Sequence, residues 1–186
     1  MAEQHSSVSA VLRPCVFFDR DGIVNISPGA GWVERWADFA WMPGFFALFR
    51  LVRARGLDGV LITNQSGISR GIMTEDSVRD IHWNMRRELR EGTGEDFLDI
   101  LYCPHQDFHG CDCRKPKPGM LLEAARRHGL DLAASWMVGD HVRDAEAGRR
   151  AGCRTLLVNP EAKPGQADEC VADLAGALDV FSRVLA

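Results

Sequence analysis

The sequence lacks any long hydrophobic run, any excess of basic residues and any high content of cysteine. No apolar segment approaches the roughly 20 residues that a membrane-spanning helix needs. The net charge is −4 at pH 7 and the basic residues are scattered, which argues against a surface for nucleic acid or anionic membrane. No repeat or linker divides the 186 residues, which is the length of one ordinary domain. We therefore expect neither a nucleic acid nor a membrane as a partner.

The first residues are polar and contain no hydrophobic stretch of the kind found in a secretion signal. We predict a disordered leader over residues 1–13 and a single domain over residues 14–186, acting as a monomer in the cytoplasm. The six cysteines agree with a reducing compartment, where free thiols or metal ligands are more common than disulfides.

Short apolar runs alternate with helical patterns, and this order predicts parallel strands joined by helices. The predicted strands are Cys15–Phe18, Gly59–Thr63, Asp99–Cys103, Trp136–Gly139 and Thr155–Val158. The predicted helices are Gly44–Arg55, Glu75–Glu91, Pro118–His128, Arg143–Ala151 and Leu174–Leu185. The polar segment 161–169 is interpreted as a loop, and Trp83 and Trp136 are expected in or beside the core. The fold class is α/β: a three-layer, Rossmann-like parallel sheet with helices on both faces.

Distinctive polar residues come at the ends of four of the predicted strands. In chain order they are Asp19 with Asp21, Thr63 with Asn64, Cys103 with His105, and Asp140. Because the carboxyl ends of parallel strands form the ligand crevice of an open sheet, we expect these residues at one edge. Polar residues at the ends of four strands are much harder to explain by chance than a single such motif.

Asp19 and Asp21 lie one residue apart after a predicted buried strand. Strand-like spacing points both carboxylates the same way, and like charges that close raise each other's pKa. The pair could bind a hard cation and supply a nucleophile and a proton donor. A solvated turn is the alternative, since Asp and Gly favour turns.

Two further segments could bind an anion. Residues 63–67 offer a hydroxyl, an amide and backbone N–H groups, although an ordinary Asn/Ser/Gly turn has the same composition. Arg114 could bind a phosphate bidentately while Lys115 places a point charge, although a basic pair on the surface is also common.

Asp140 and Asp144 follow the fourth predicted strand. Asp140 could complete a cation site with Asp19, and Asp144 could accept a hydrogen bond from metal-bound water. The alternative is that both only begin a helix, where carboxylates are favoured by the helix dipole.

Three cysteines and one histidine lie close together after the third predicted strand. They are Cys103, His105, Cys111 and Cys113. Three thiolates and an imidazole match a closed, structural zinc site, with His109 as a competing ligand. The alternative is a loop with three thiols by chance, which the sparseness of Cys elsewhere disfavours. Such a site would hold a loop so that Arg114 and Lys115 face a phosphate.

The order of these groups resembles the haloacid dehalogenase superfamily, from about Val16 to Val158. Three stretches are similar to the D-glycero-D-manno-heptose 1,7-bisphosphate phosphatase family, which shares its zinc loop with histidinol-phosphate phosphatases. They are DRDGIVN at 19–25, TNQSGISRG at 63–71 and CRKPKPGM at 113–120. The resemblance implies little or no cap domain and a small phosphorylated sugar as substrate. It further implies loss of the 7-phosphate, for lipopolysaccharide-core or related nucleotide-heptose synthesis.

The resemblance also implies roles for individual residues, and it favours His105 as the fourth zinc ligand. Asp19 would attack phosphorus to give an aspartyl-phosphate, and Asp21 would protonate the leaving alcohol and later activate water. Thr63 and Lys115 would hold the phosphoryl oxygens. The implied Mg²⁺ ligands are Asp19, the backbone carbonyl of Asp21, and Asp140. The candidate substrate-binding residues are Asn64, Arg114, Trp32 and Arg70.

The chain departs from the family pattern in ways that concern the substrate. Ile23 stands where Thr is usual, and His141 follows Asp140 where the heptose enzymes often have Lys. The zinc loop is short, as in histidinol-phosphate phosphatases, which are the nearest alternative and would need Glu34 or Asp38 to receive an ammonium group. A polynucleotide 3′-phosphatase would need a basic groove with stacking aromatics. An inactive zinc-stabilised binding module would show a damaged catalytic set.

Overall fold

The computed structural model describes residues 12–185, which form one parallel sheet and five α-helices. The strands are β1 (Cys15–Phe18), β2 (Asp58–Asn64), β3 (Asp99–Cys103), β4 (Trp136–Gly139), β5 (Arg154–Val158) and β6 (Glu169–Val171). The α-helices are α1 (Phe45–Ala54), α2 (Glu75–Thr93), α3 (Gly119–His128), α4 (Val142–Ala151) and α5 (Leu174–Val184). Short 3-10 helices cover Trp36–Asp38 and Asp107–His109.

The strand order is β3-β2-β1-β4-β5-β6, with every neighbouring pair parallel. In register, Val16 of β1 lies between Gly59 of β2 and Trp136 of β4. The order reverses between β1 and β4, so the gap beyond their carboxyl ends is the ligand crevice expected of this topology. The predicted fold class is confirmed.

Both faces of the sheet are covered because its central strands are apolar on both sides. In β1, Val16 and Phe18 pack against α1, α2 and α5, whereas Cys15 and Phe17 pack toward α3 and α4. All four β1 side chains are fully buried. A buried central strand of this kind holds the residue that follows it, Asp19, in a fixed position.

Two details of the sequence prediction are wrong. β6, a three-residue, half-buried edge strand that pairs with β5, was not predicted, and it begins at Glu169, the last residue of the segment interpreted as a loop. A strand so short carries no alternating pattern that a sequence reading could detect. Trp83 lies outside the core with 60% of its surface exposed, and its ring lies 5.0 Å below the Arg87 guanidinium.

The predicted leader lies mostly outside the described residues, but Arg13 is described. Its N–H donates to the Gly129 carbonyl at 3.0 Å, and its guanidinium pairs with Asp58 at 2.9 Å. Between β1 and α1, the segment 26–42 holds one 3-10 turn, so the described chain carries no large cap domain, as predicted. None of the helices described is both long and apolar enough to cross a bilayer.

Candidate active site

The ends of β1 and β4 bring two of the predicted carboxylates together. The N–H of Asp19 donates to the Val138 carbonyl at 2.9 Å, which continues the pairing of β1 with β4. The chain then turns tightly at Gly22, whose φ is +91°. A Cβ on Gly22 would lie 2.1 Å from an Asp140 carboxylate oxygen, so only glycine allows this turn to approach Asp140.

Lys115 extends from the loop between β3 and α3 to the floor of this site, which is formed by Asp19, Asp140 and Asp144, and Lys115 is 2% exposed. Its ammonium contacts Asp19 Oδ1 and Asp144 Oδ1, each at 2.7 Å, and donates to the Ile62 carbonyl at 2.9 Å. Asp144 is 1% exposed, and it also accepts a hydrogen bond from the His141 N–H at 3.1 Å. Asp144 therefore caps the start of α4, the alternative weighed for it, and it also holds the Lys115 ammonium in place, a contact that the sequence did not predict.

Burial governs the protonation of this floor. It raises the pKa of Asp19 to about 7, against the opposing Lys115 charge and with support from the Asp144 and Asp21 carboxylates. Burial and then Asp144 raise the pKa of Asp140 to about 6. Burial lowers the pKa of Lys115, but Asp144 and Asp19 outweigh it and the net shift is upward. The floor thus has more negative charge than its one ammonium can balance.

The donor set of the floor fits a hard divalent cation. Oxygen atoms of Asp19, Asp140 and Asp144 all lie within 4.8 Å of one another. When all three carboxyls are ionised they face the single ammonium of Lys115, an excess of two negative charges, and carboxylate oxygens are the ligands that Mg²⁺ prefers. The arrangement could bind Mg²⁺ beside Asp19.

Asp21 is held by three donors that the sequence reasoning did not assign. The guanidinium of Arg20, which is fully buried, donates to both Asp21 oxygens at 3.0 to 3.2 Å. The amides of Asn25 and Gln65 donate to one oxygen each, at 3.0 and 3.2 Å. The sequence shows Arg20 between two aspartates and Gln65 directly after Asn64, but only the fold shows that both donate to Asp21.

The cleft above this floor has a volume of about 300 Å³ and contains nearly all the predicted residues. The predicted residues that line it are Asp19, Asp21, Trp32, Thr63, Asn64, Arg114, Lys115 and Asp140. His141 and Arg143, from the start of α4, also line it, and Arg143 was not foreseen. Arg70 lies outside this lining, with its guanidinium 5.9 Å from the Trp32 ring centre.

Asn64 and Arg114 connect the cleft to the loop between β3 and α3. The Asn64 amide donates to the Lys115 carbonyl and accepts from the Lys115 N–H, both at 3.0 Å. Arg114 donates to the His105 carbonyl at 3.1 Å and pairs with Asp107. Asn64 therefore supports Lys115, a task beyond the predicted substrate contact.

The three thiols and the imidazole at the end of β3 and in the loop that follows it converge as predicted. Among Cys103, Cys111 and Cys113 the sulfur–sulfur distances are 3.1 to 3.6 Å, and His105 Nδ1 lies 3.3 to 3.6 Å from two of the sulfurs. Two sulfurs on one tetrahedral zinc stand roughly 3.8 Å apart when Zn–S is about 2.3 Å. The donor set therefore fits zinc. His109, the competing ligand, lies outside this group and accepts a hydrogen bond from the Gln106 N–H at 3.0 Å.

Comparisons with known proteins agree with this geometry. A family model described as HAD-hydrolase-like matches residues 112–178. The chain is 40% identical over 154 residues to D-glycero-beta-D-manno-heptose-1,7-bisphosphate 7-phosphatase of Rhodopseudomonas palustris, covering 78% of this chain and 83% of the relative. It is 39% identical over 163 residues to the enzyme of that name from Vibrio cholerae, covering 82% of this chain and 84% of the relative.

A solved structure shows the same likeness in three dimensions. The crystal structure of D,D-heptose 1,7-bisphosphate phosphatase from B. bronchiseptica, complexed with magnesium and phosphate, superposes with a TM-score of 0.82 at 33% identity. The match covers 91% of this chain and 98% of that one. The chain therefore belongs to the heptose-1,7-bisphosphate 7-phosphatase family of the haloacid dehalogenase superfamily.

Proposed function

We propose that this chain is a Mg²⁺-dependent phosphatase that removes the 7-phosphate of D-glycero-D-manno-heptose 1,7-bisphosphate. The observation that carries the proposal is the convergence of Asp19, Asp140 and Lys115 at the floor of one cleft, where β1 and β4 end. Relatives 39% and 40% identical over most of the chain bear the name of this activity. The product, heptose 1-phosphate, would be a precursor for lipopolysaccharide-core or related nucleotide-heptose synthesis.

In this proposal Asp19 attacks phosphorus and becomes an aspartyl-phosphate, while Asp21 gives its proton to the departing sugar oxygen. Asp21 then removes a proton from the water that hydrolyses the intermediate and regenerates Asp19. Thr63 and Lys115 hold the phosphoryl oxygens, whose spread negative charge makes positioned donors effective. When bound by Asp19, Asp140 and the Asp21 carbonyl, Mg²⁺ would supply charge neutralisation and orientation of the phosphoryl group.

The charges around the cleft favour a bisphosphate over histidinol phosphate. Arg114 and Arg143 line the cleft and could receive a second phosphate, with Trp32 against the sugar and Arg70 beside Trp32. The acidic residues that an ammonium group would need, Glu34 and Asp38, do not line it. Asp38 instead binds its neighbour Arg35 at 3.1 Å.

We further propose that the thiol cluster holds a structural Zn²⁺. All four positions of a tetrahedral ion would be filled by the protein, which leaves no position for water or substrate. The loop it closes carries Arg114 and Lys115, so the ion would act on catalysis only by keeping these two residues in place.

Substrate competition tests the proposal. Purified protein with Mg²⁺ is offered the α and β anomers of heptose 1,7-bisphosphate, fructose 1,6-bisphosphate and histidinol phosphate, and kcat/KM is compared. We expect a heptose bisphosphate to be preferred, with ³¹P NMR showing loss of the 7-phosphate. Preference for histidinol phosphate would reject the substrate while leaving the phosphatase chemistry in place.

A further inference from the structure

Gln65 is a buried residue, 1% exposed, that follows β2 and lies behind the cleft. Its side-chain Nε2 donates to Thr63 Oγ1 at 2.9 Å and to Asp21 Oδ2 at 3.2 Å. Its backbone N–H donates to the carbonyl of Cys103 at 2.7 Å. One glutamine thus joins the end of β2, the Asp21 turn and the first residue of the thiol cluster.

The bond to Thr63 decides what the Thr63 hydroxyl can do. In its ionised form Asp21 only accepts hydrogen bonds, as it does from Arg20 and Asn25, so in that state the Gln65 group that faces it is the NH₂ and not the carbonyl oxygen. The same NH₂ donates to Thr63 Oγ1, which therefore acts as the acceptor. The hydroxyl hydrogen of Thr63 is therefore free to point away from Gln65, and Thr63 lines the cleft whereas Gln65 does not.

The bond to Asp21 differs in kind from the other bonds that this carboxylate makes. Arg20 and Asn25 belong to the same tight turn as Asp21, so they move with it. Among the described donors to the Asp21 carboxylate, Gln65 alone comes from another strand. It therefore sets where Asp21 stands relative to Thr63 and the bound phosphoryl group.

We propose that Gln65 is a positioning residue that aims the Thr63 hydroxyl at the transferring phosphoryl group and Asp21 at the leaving oxygen. In that step the bond from Asp19 to phosphorus forms and the bond from phosphorus to the sugar oxygen breaks. The proton of Asp21 passes to that oxygen. This role rests on the proposed phosphatase function.

The leaving group provides the test, because an alkoxide needs a proton on departure far more than p-nitrophenolate does. The variant Gln65→Met keeps the length of the side chain and removes its donor. It is compared with the wild type on heptose bisphosphate and on p-nitrophenyl phosphate by kcat/KM. This parameter reports phosphoryl transfer to Asp19 and not the later hydrolysis, in which Asp21 acts as a base.

We expect kcat/KM for the sugar phosphate to fall by about 10²–10³, within the range for lost general acid catalysis. For p-nitrophenyl phosphate the fall should be only about 10-fold, because there the Thr63 hydroxyl is kept and loses only its orientation, which costs less than the loss of a whole donor. Gln65→Leu removes both polar atoms of the amide and should behave similarly. The control is Gln166→Met, since the Gln166 side chain accepts one backbone hydrogen bond far along the chain from the cleft residues.

Three outcomes separate the possibilities. Equal losses on both substrates, or no loss, in correctly folded Gln65→Met and Gln65→Leu overturn the positioning role. When Asp21→Asn is already present, Gln65→Met should no longer cause the additional loss that is specific to the sugar phosphate. If that additional loss persists, the positioning role is also overturned. A wild-type protein without activity on any phosphate ester would instead reject the proposed function.

Discussion

The two metal-ligand clusters of this protein are assembled in opposite ways. The thiol cluster takes its four ligands from residues 103–113, a short continuous segment between β3 and α3. The carboxylate cluster takes Asp19 from the end of β1, Asp140 from the end of β4 and Asp144 from α4. The first is thus a local feature of one loop, whereas the second exists only because two distant strands pair.

This difference predicts different uses for the two ions. The carboxylate cluster lies on a buried sheet and already contains Lys115, so the fold positions it before any metal binds. The thiol loop contains only a short 3-10 helix and several exposed residues, and besides the four ligands it is held by a few hydrogen bonds, such as that from Arg114 to the His105 carbonyl, and not by a packed sheet. Mg²⁺ should therefore matter mainly for chemistry and Zn²⁺ mainly for structure.

The largest expected effect is at the carboxylate cluster. Asp19→Asn removes the nucleophile, and turnover should fall by at least about 10³–10⁴ while the fold is retained. Asp21→Asn should be nearly as damaging. Steady-state kinetics with saturating Mg²⁺ measures both, with Asp38→Asn, at an exposed surface pair, as the control. Full activity of metal-loaded Asp19→Asn would contradict the assignment.

Removing either ion should separate structure from chemistry. Removal of Mg²⁺ should abolish activity but leave the melting temperature within a few degrees of the loaded protein. Removal of Zn²⁺, or the substitution Cys111→Ser, should lower both stability and activity. We expect a loss of several kcal/mol in the free energy of unfolding and of about 10-fold or more in activity. Cys170→Ser is the matched control, since Cys170 lies outside the cluster. Atomic analysis that finds no zinc in freshly purified protein would reject the proposed structural Zn²⁺.

In the absence of metal, the Lys115 ammonium should stabilise the folded protein by balancing the charge of the carboxylate cluster. In Lys115→Met the buried carboxylates Asp19 and Asp144 lose their shared cation, and stability should fall by roughly 3–5 kcal/mol in metal-free protein. Mg²⁺ should restore more stability to this variant than to the wild type. Thermal unfolding with and without Mg²⁺ measures this, with Lys117→Met, an exposed lysine two residues away, as the control. An unchanged midpoint would show that Lys115 does not balance the cluster.

The smallest expected effect concerns pH. Burial raises the pKa of Asp19 to about 7 and of Asp140 to about 6, above the unfolded value near 3.8. The native state therefore holds protons that the unfolded state has lost, so metal-free stability should decline as pH rises from 6 to 8. These two carboxyls should contribute a decline of roughly 1–2 kcal/mol, partly offset by His82, whose pKa burial lowers to about 3. The decline should be smaller in Asp19→Asn and largely absent with bound Mg²⁺. Denaturant unfolding at the two pH values measures it, and a rise in stability would contradict the predicted sign.

Periodicity and spacing in the sequence were enough to predict the sheet, the helices and the placement of polar residues at strand ends. Strands such as Cys15–Phe18 and Trp136–Gly139 appear where predicted, because a strand buried on both faces must be continuously apolar. The thiol cluster was also predictable, since its ligands are neighbours along the chain. Patterns of this kind act over a few residues, and a sequence displays them directly.

The tertiary structure alone decided which polar atoms meet. The bonds from Gln65 to Asp21, from Asn64 to the Lys115 backbone and from Lys115 to Asp144 join segments that are far apart in sequence. Each of these side chains could make many different hydrogen bonds. The pairing of the strands determines which of those partners it meets. The sequence by itself therefore determined the kinds of chemistry available, while the packed sheet determined which side chains carry it out together.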